Sequence, residues 1–229
     1  MGKTITPPAD SNRLTGALSR LFDWLQDQKN RLVVLLTLAA LAMLFPLLAG
    51  NYELEVVTNI WFYVILCLGL NIVVGYAGLL DLGYAAFFAV GAYTTGILTS
   101  EFGVNFWLTI PFAVFFSALS GCIIGGPTLR LRSDYLAIVT LGFGEIVRII
   151  ARNLEITGGA SGLIGIERPS IFGFQLTQIV HFYYVFLILA IIAGFVSYRL
   201  QHSRMGRAWQ YVREDEDAAE AMGINRVAV

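Results

Sequence analysis

Six apolar runs, each about as long as a bilayer is thick, constrain what this chain can become. They cover residues 32–49, 56–74, 82–99, 106–129, 135–150 with an extension to 154, and 179–198. A membrane-crossing helix needs about 20 such residues, within a range of about 17–25. Only helices and closed barrels satisfy their own backbone in hydrocarbon, and these runs are too long for barrel strands. The expected fold is therefore all-α, a polytopic helical bundle with about six spans. Charged residues make up only 14% of the 229, against about 25% in soluble domains, and the deficit is spread over several long runs. The third run is the least secure span. Gly83, Gly91 and Gly96 interrupt it, so it either crosses fully or is re-entrant or broken.

Basic residues orient the bundle. Lys3, Arg13, Arg20, Lys29 and Arg31 precede the first run, Arg130 and Arg132 follow the fourth, and Arg199, Arg204, Arg207, Arg213 and Arg226 follow the sixth. Six alternating spans put all of these on one side, the cytoplasm, with the N-terminus there. Arg148, Arg152 and Arg168 are the exceptions, in or near an outer loop. Three regions follow: a cytoplasmic tail over 1–31, a membrane domain over 32–198 and a cytoplasmic segment over 199–229. In the tail, Leu14, Leu18, Leu21, Phe22 and Leu25 recur at helical spacing. They define an amphipathic helix lying on the inner membrane surface or on the protein's own inner face. The first thirty residues are polar, so the first run reads as a retained span and not as a signal peptide.

Several chemistries find no support. There is no basic stripe with interleaved aromatics, so no nucleic-acid partner is expected. Cys67 and Cys122 each sit within an apolar run and read as small core residues. His181 and His202 lie at opposite ends of one run. Neither a metal site nor a catalytic nucleophile–base pair is expected, and the chain reads as a non-enzyme.

Four constellations stand out. The first is Asn71–Tyr93, where Gly75, Gly78, Asp81 and Gly83 interrupt apolar sequence. Either the helix breaks there to present backbone groups, as half-helices do in transporters, or the region is tight packing with a short inner turn holding Asp81. The second is Glu145 and Arg148, three residues apart beside Gly142 and Gly144. They share a helix face and can pair. A charge at mid-bilayer costs at least about 2.5 kcal/mol, so the pair is expected to face a protein interior. It either holds the fifth span against a neighbour or lines a translocation path. The third is the outer loop with Thr157, Gly158, Gly159 and Gly162. No Gly-Lys-Ser/Thr follows, so this is a compact turn or external gate and not a phosphate loop. The fourth is the tail, where helix formers run from Arg213 to Met222 and Gly223 is a natural stop. Asp217, Ala218, Ala219 and Gly223 read either as a small-faced docking helix or as an ordinary connection.

Four blocks in order, "LNIVVGYAGLLDLGYAAFFAVGAY", "LRLRSDYLAIVTLGFGEIVRI", "TGGASG" and "GRAWQYVREDEDAAEAMGI", resemble the signature regions of LivM-type permeases of bacterial branched-chain amino acid ABC importers. The resemblance covers roughly residues 70–225. It implies a multi-pass inner-membrane subunit paired with a second, LivH-type permease. Two cytoplasmic ATPase subunits and a periplasmic binding protein that delivers leucine, isoleucine or valine complete the assembly. ATP would be used by the partners, and no cofactor is expected on this chain. Asp217–Gly223 resembles the loop by which such permeases engage their ATPases, although relatives start it with Glu. Ala160 and Ser161 stand where relatives often carry Pro and Asn, which weakens any inference about substrate from that loop. Relatives continue past this segment with further spans, so the 229 residues are expected to be part of a longer permease. The alternatives are a urea or short-amide permease of the same superfamily, or an ion-coupled secondary transporter using Glu145.

Overall fold

A computed structural model describes residues 28–128, 133–166, 168–171 and 174–224. The tail helix expected around Leu14–Leu25, and Arg130 and Arg132, lie outside these residues. The chain divides into two compact units, Met1–Leu54 and Glu55–Val229. In the first, α1 (Gln28–Leu48) carries Pro46 in its last turn, where a missing N–H and a fixed φ favour an end. The helix stops two residues later. After Gly50, α2 (Asn51–Asn71) begins.

The second unit is helical almost throughout. The last turn of α2 widens into a π turn, Ile72–Tyr76. A short link leads to α3 (Tyr84–Ser100), followed by α4 (Phe106–Thr128) and α5 (Ser133–Asn153). Two 3₁₀ turns and a two-residue antiparallel pair, Ser170–Ile171 with Phe174–Gln175, precede α6 (Ile179–Gln201). Two short helices close the described chain, α7 (Arg204–Glu214) and α8 (Glu216–Ala221).

Among the described residues, three helical segments are long and apolar enough to cross a membrane: Asn51–Tyr76, Phe106–Gly126 and Ile179–Gln201. The third run forms one continuous helix, unbroken at Gly91 and Gly96. Its 17 residues span about 25 Å at 1.5 Å per residue, slightly less than the hydrocarbon core. The break lies just before it, in the link after the π turn. The fifth run folds as the 21-residue α5, which holds Glu145, Arg148 and Arg152.

Much of the buried set is what a membrane bundle needs. Ala86, Ala137, Ala151, Ala190, Thr99, Thr109, Thr140 and Ser197 are buried beside a few large residues, Leu54, Leu136, Tyr183 and Leu187, while Leu108, Phe115 and Ile123 of α4 and Ile188, Ile191 and Phe195 of α6 are exposed. Hydrocarbon gives apolar bulk little reason to be inside, so small and hydroxyl side chains that allow close approach are prominent at the contacts. The same logic corrects the reading of the cysteines. Cys67 and Cys122 are both exposed, because an apolar run in a membrane can turn any face outward.

A charged groove above a glycine turn as the candidate site

The link after the π turn is built around glycine. Gly78 adopts φ +72°, a left-handed conformation costly for residues with a Cβ. The Ala77 and Leu79 N–H groups donate back to Ile72 O and Val73 O at 3.3 and 3.2 Å, closing the wide turn. The Asp81 carboxylate accepts from Gly83 N at 2.8 Å, and Gly83 O accepts from Ala86 N at 2.8 Å, which starts α3. Of the two readings of this region, the structure has both a helix break and a short turn holding Asp81. Gly75 lies in the π turn, where a Cβ would sit 2.2 Å from Asn71 Oδ1.

The turn is locked to α5. Leu82 N donates to Thr140 Oγ1 at 3.0 Å. A Cβ on Gly83 would sit 2.2 Å from Thr140 O, and one on Gly144 would sit 3.6 Å from Gly83 Cα. Gly83 and Gly144 therefore mark the crossing of α3 and α5, and no larger residue fits at 83. Gly142 plays no such part. It is exposed, and a Cβ there would meet nothing within 4 Å, because two residues along a helix is over half a turn.

Above this crossing the two helices diverge around a groove of about 720 Å³. Leu82 and Gly83 form one end. Ala85, Ala86, Ala89 and Tyr93 supply the α3 wall, and Gly144, Glu145, Arg148, Ala151 and Arg152 lie on the α5 side. At 3.6 residues per turn, Glu145, Arg148 and Arg152 fall within about 60° of one another. Arg148 Nε donates to Glu145 Oε2 at 2.9 Å and Arg148 Nη2 donates to Glu145 Oε1. The two side chains remain 54% and 53% exposed. The pair thus closes along α5 itself and does not bridge to a neighbouring helix, because a three-residue spacing brings the two side chains together on one face. It borders a groove, with small residues opposite that leave room beside the charges.

The loop after α5 folds as a compact glycine turn. Gly158, Gly159 and Gly162 take φ of +77°, +56° and +71°. A Cβ on Gly158 would fall 2.1 Å from Gly162 O. Thr157 is buried, and its Oγ1 lies 2.7 Å from both Ala151 O and Leu154 O. Its single hydrogen therefore lies between two carbonyls where α5 ends, of which Leu154 O also accepts from Gly159 N at 3.0 Å. Leu163 then packs over Gly96 of α3, where a Cβ would meet Leu163 Cδ1 at 2.8 Å.

The tail is two helices, not the single one expected from Arg213 to Met222. Asp215 takes an extended conformation between them, and its side chain accepts from Ala218 N at 2.9 Å, the N-cap role that Asp favours over a helix interior. α8 ends with Gly223 at φ +85°. Gly223 N donates to Glu220 O at 2.9 Å and Ile224 N to Ala219 O at 3.0 Å, the bonding of a left-handed glycine cap. Ala219 is buried and Ala218 exposed. The backbone of Asp217 is in the first turn of this short helix, one residue after its start at Glu216.

Thr140, Arg152, Tyr93 and Arg213 were not singled out as site residues in the sequence. Arg152 carries a signal, since it repeats the Arg148 position four residues on. Thr140 carries none, because its role depends on which backbone it meets.

These features define a helical membrane protein with a charged groove beside its spans. The chain belongs to the family described as branched-chain amino acid transport system / permease component, which matches residues 52–227. The high-affinity branched-chain amino acid transport system permease protein LivM of Salmonella typhimurium is 40% identical over 215 residues, covering 83% of this chain and 51% of that protein. The LivM protein of Escherichia coli gives the same figures. A probable branched-chain amino acid transport permease protein LivM of Methanocaldococcus jannaschii is 28% identical over 204 residues, covering 72% and 58%. The chain spans about half the length of the two bacterial relatives. No solved structure gives a significant match.

Proposed function

We propose that this chain forms the membrane part of one permease subunit of an ATP-driven importer of leucine, isoleucine and valine, with the groove between α3 and α5 as part of the translocation path. The observation that carries this reading is the groove itself, lined by an acid, two arginines and small apolar residues in a chain of this family. An amino acid presents an ammonium, a carboxylate and an alkyl group. Glu145 complements the first, Arg148 the second and the alanine wall the third. The pair neutralises itself when no substrate is present, which keeps the desolvation cost of two membrane charges low. A passing zwitterion exchanges one paired state for another.

On this reading residues 32–198 are the permease domain in the bacterial inner membrane, with six spans and a cytoplasmic N-terminus. The tail over 1–31 lies on the inner surface. Residues 199–229 face the cytoplasm, where Asp217, Ala218, Ala219 and Gly223 seat an ATPase. Thr157, Gly158, Gly159 and Gly162 close the outer end. A second permease of LivH type completes the path, two ATPases supply the energy, and a periplasmic binding protein supplies the substrate. This chain itself holds no cofactor and hydrolyses nothing.

The test is uptake of labelled leucine by membrane vesicles carrying the assembled transporter. Uptake should require ATP and survive collapse of the proton and sodium gradients. Uptake that follows the gradients without ATP would instead make Glu145 an ion-coupling site.

A further inference from the structure

We propose that Arg213 is a positioning residue that joins the cytoplasmic helices to the end of the groove, so that movement of α7 and α8 shifts the turn on which Leu82 and Gly83 sit. The proposal rests on the importer reading above and names where its coupling enters the membrane domain.

Arg213 lies in the last turn of α7, yet its contacts are with a turn far back in the chain, the most distant 138 residues away. Its Nη1 donates to Gly75 O in the π turn. That carbonyl belongs to the end of a helix, where the last carbonyls lack intrahelical donors and a cation is favoured. The aliphatic stem of Arg213 fills the space that a side chain at 78 would need. A Cβ on Gly78 would lie 2.3 Å from Arg213 Cγ and 3.0 Å from Arg213 Cβ. The turn thus accepts Arg213 because position 78 is glycine.

The joint is firm on both sides. Tyr76 Oη and Ser197 Oγ lie 3.0 Å apart, tying the same turn to α6. α7 is held close to the end of α6, since Ser203 Oγ accepts from Gly206 N at 3.0 Å and a Cβ on Gly206 would lie 2.1 Å from Leu200 O. On the far side, five residues after Gly78, Gly83 meets Thr140 O and Leu82 N is bonded to Thr140 Oγ1. A link this short, fixed at both ends, passes on a displacement of Arg213 and does not absorb it. No comparable contact from α7 or α8 to the rest of the groove wall is needed.

The experiment measures uptake per ATP hydrolysed, with subunit abundance, in vesicles of the assembled transporter. Arg213→Gln should lower leucine uptake per ATP roughly tenfold, the scale of one lost hydrogen bond to a charged group, at unchanged abundance. Arg213→Lys, which keeps the charge but not the fork, should recover part of it. A fall in abundance with uptake per ATP unchanged would make Arg213 merely structural and overturn the proposal. In a background with Cys67→Ser and Cys122→Ser, Gly78→Cys with Arg213→Cys tests the joint directly. A disulfide needs the two Cβ atoms about 3.5–4.5 Å apart, a shift of about half an ångström or more. Oxidation should form the link and raise uptake per ATP above that of the reduced form. No link, or equal ratios in both forms, overturns the proposal. Were the unsubstituted transporter to hydrolyse ATP without moving any branched-chain amino acid, the importer reading and the transmission role would fall together, and the crosslink would still report whether the joint exists.

Discussion

Arg148 holds both carboxylate oxygens of Glu145 from one turn further along α5, with Nε 2.9 Å from Oε2. The arrangement satisfies two membrane charges with one another and leaves their outer edges open to the groove. Glu145→Gln keeps the shape and removes the charge, leaving the guanidinium without its counter-ion. Leucine uptake should drop about tenfold or more at normal subunit abundance, as expected for loss of a charge-assisted contact. Glu145→Leu with Arg148→Leu should restore abundance better than either single leucine substitution, without restoring uptake. Normal uptake and abundance in both single variants would remove the pair from path and scaffold alike.

Gly83 and Gly142 are both glycines of the same region, and they should respond in opposite directions to alanine. Gly83→Ala drives a methyl into the Thr140 carbonyl and should cost about 1–3 kcal/mol, the usual penalty of overpacking. Gly142→Ala meets open space on a helix and should gain about 0.5–1 kcal/mol from reduced backbone entropy. Thermal unfolding of the purified subunit in detergent measures both. Equal shifts would mean that the α3–α5 crossing is not at Gly83.

At the tail, Gly223 takes φ +85° with free space around it. Backbone geometry and surface contact can therefore be separated there. Gly223→Asn tolerates the left-handed conformation and should transport nearly normally. Gly223→Trp should leave membrane insertion intact while ATP hydrolysis no longer drives uptake, because a bulky group would stand between α8 and an ATPase. Normal transport by the tryptophan variant would exclude this end of α8 from the dock.

Topology can be read with single cysteines in a background without Cys67 and Cys122. A cysteine replacing His202, exposed beyond α6, should react with impermeant reagents only from the cytoplasm. One replacing Ile164, exposed in the loop after α5, should react only from outside. Labelling of both from one side would overturn the alternation of spans.

Much of this was legible along the chain. Apolar length announced helices, because the bilayer leaves the backbone no other open-chain solution. Spacing announced the Glu145–Arg148 pair, and glycine announced a turn around Gly158 and the stop at Gly223, since each depends on residues within a turn or two. The division at Asp215 was also local, and it was missed because good helix formers on both sides outweighed a single capping residue.

The arrangement in space was another matter. Whether Gly142 or Gly144 faced a neighbour, whether the two cysteines turned inward, and whether the ion pair reached across helices all depend on rotations about helix axes. In a membrane, hydrophobicity does not reveal those rotations, because lipid and protein interior are equally apolar. The meeting of Thr140 with Gly83, and of Arg213 with Gly75 and Gly78, joins residues 57 to 138 positions apart. The sequence determined by itself that the chain would be a bundle of helices with a polar patch on the fifth. Only the tertiary structure decided which small residues would let which backbones touch, because close approach depends on the shape of the partner as much as on the glycine that permits it.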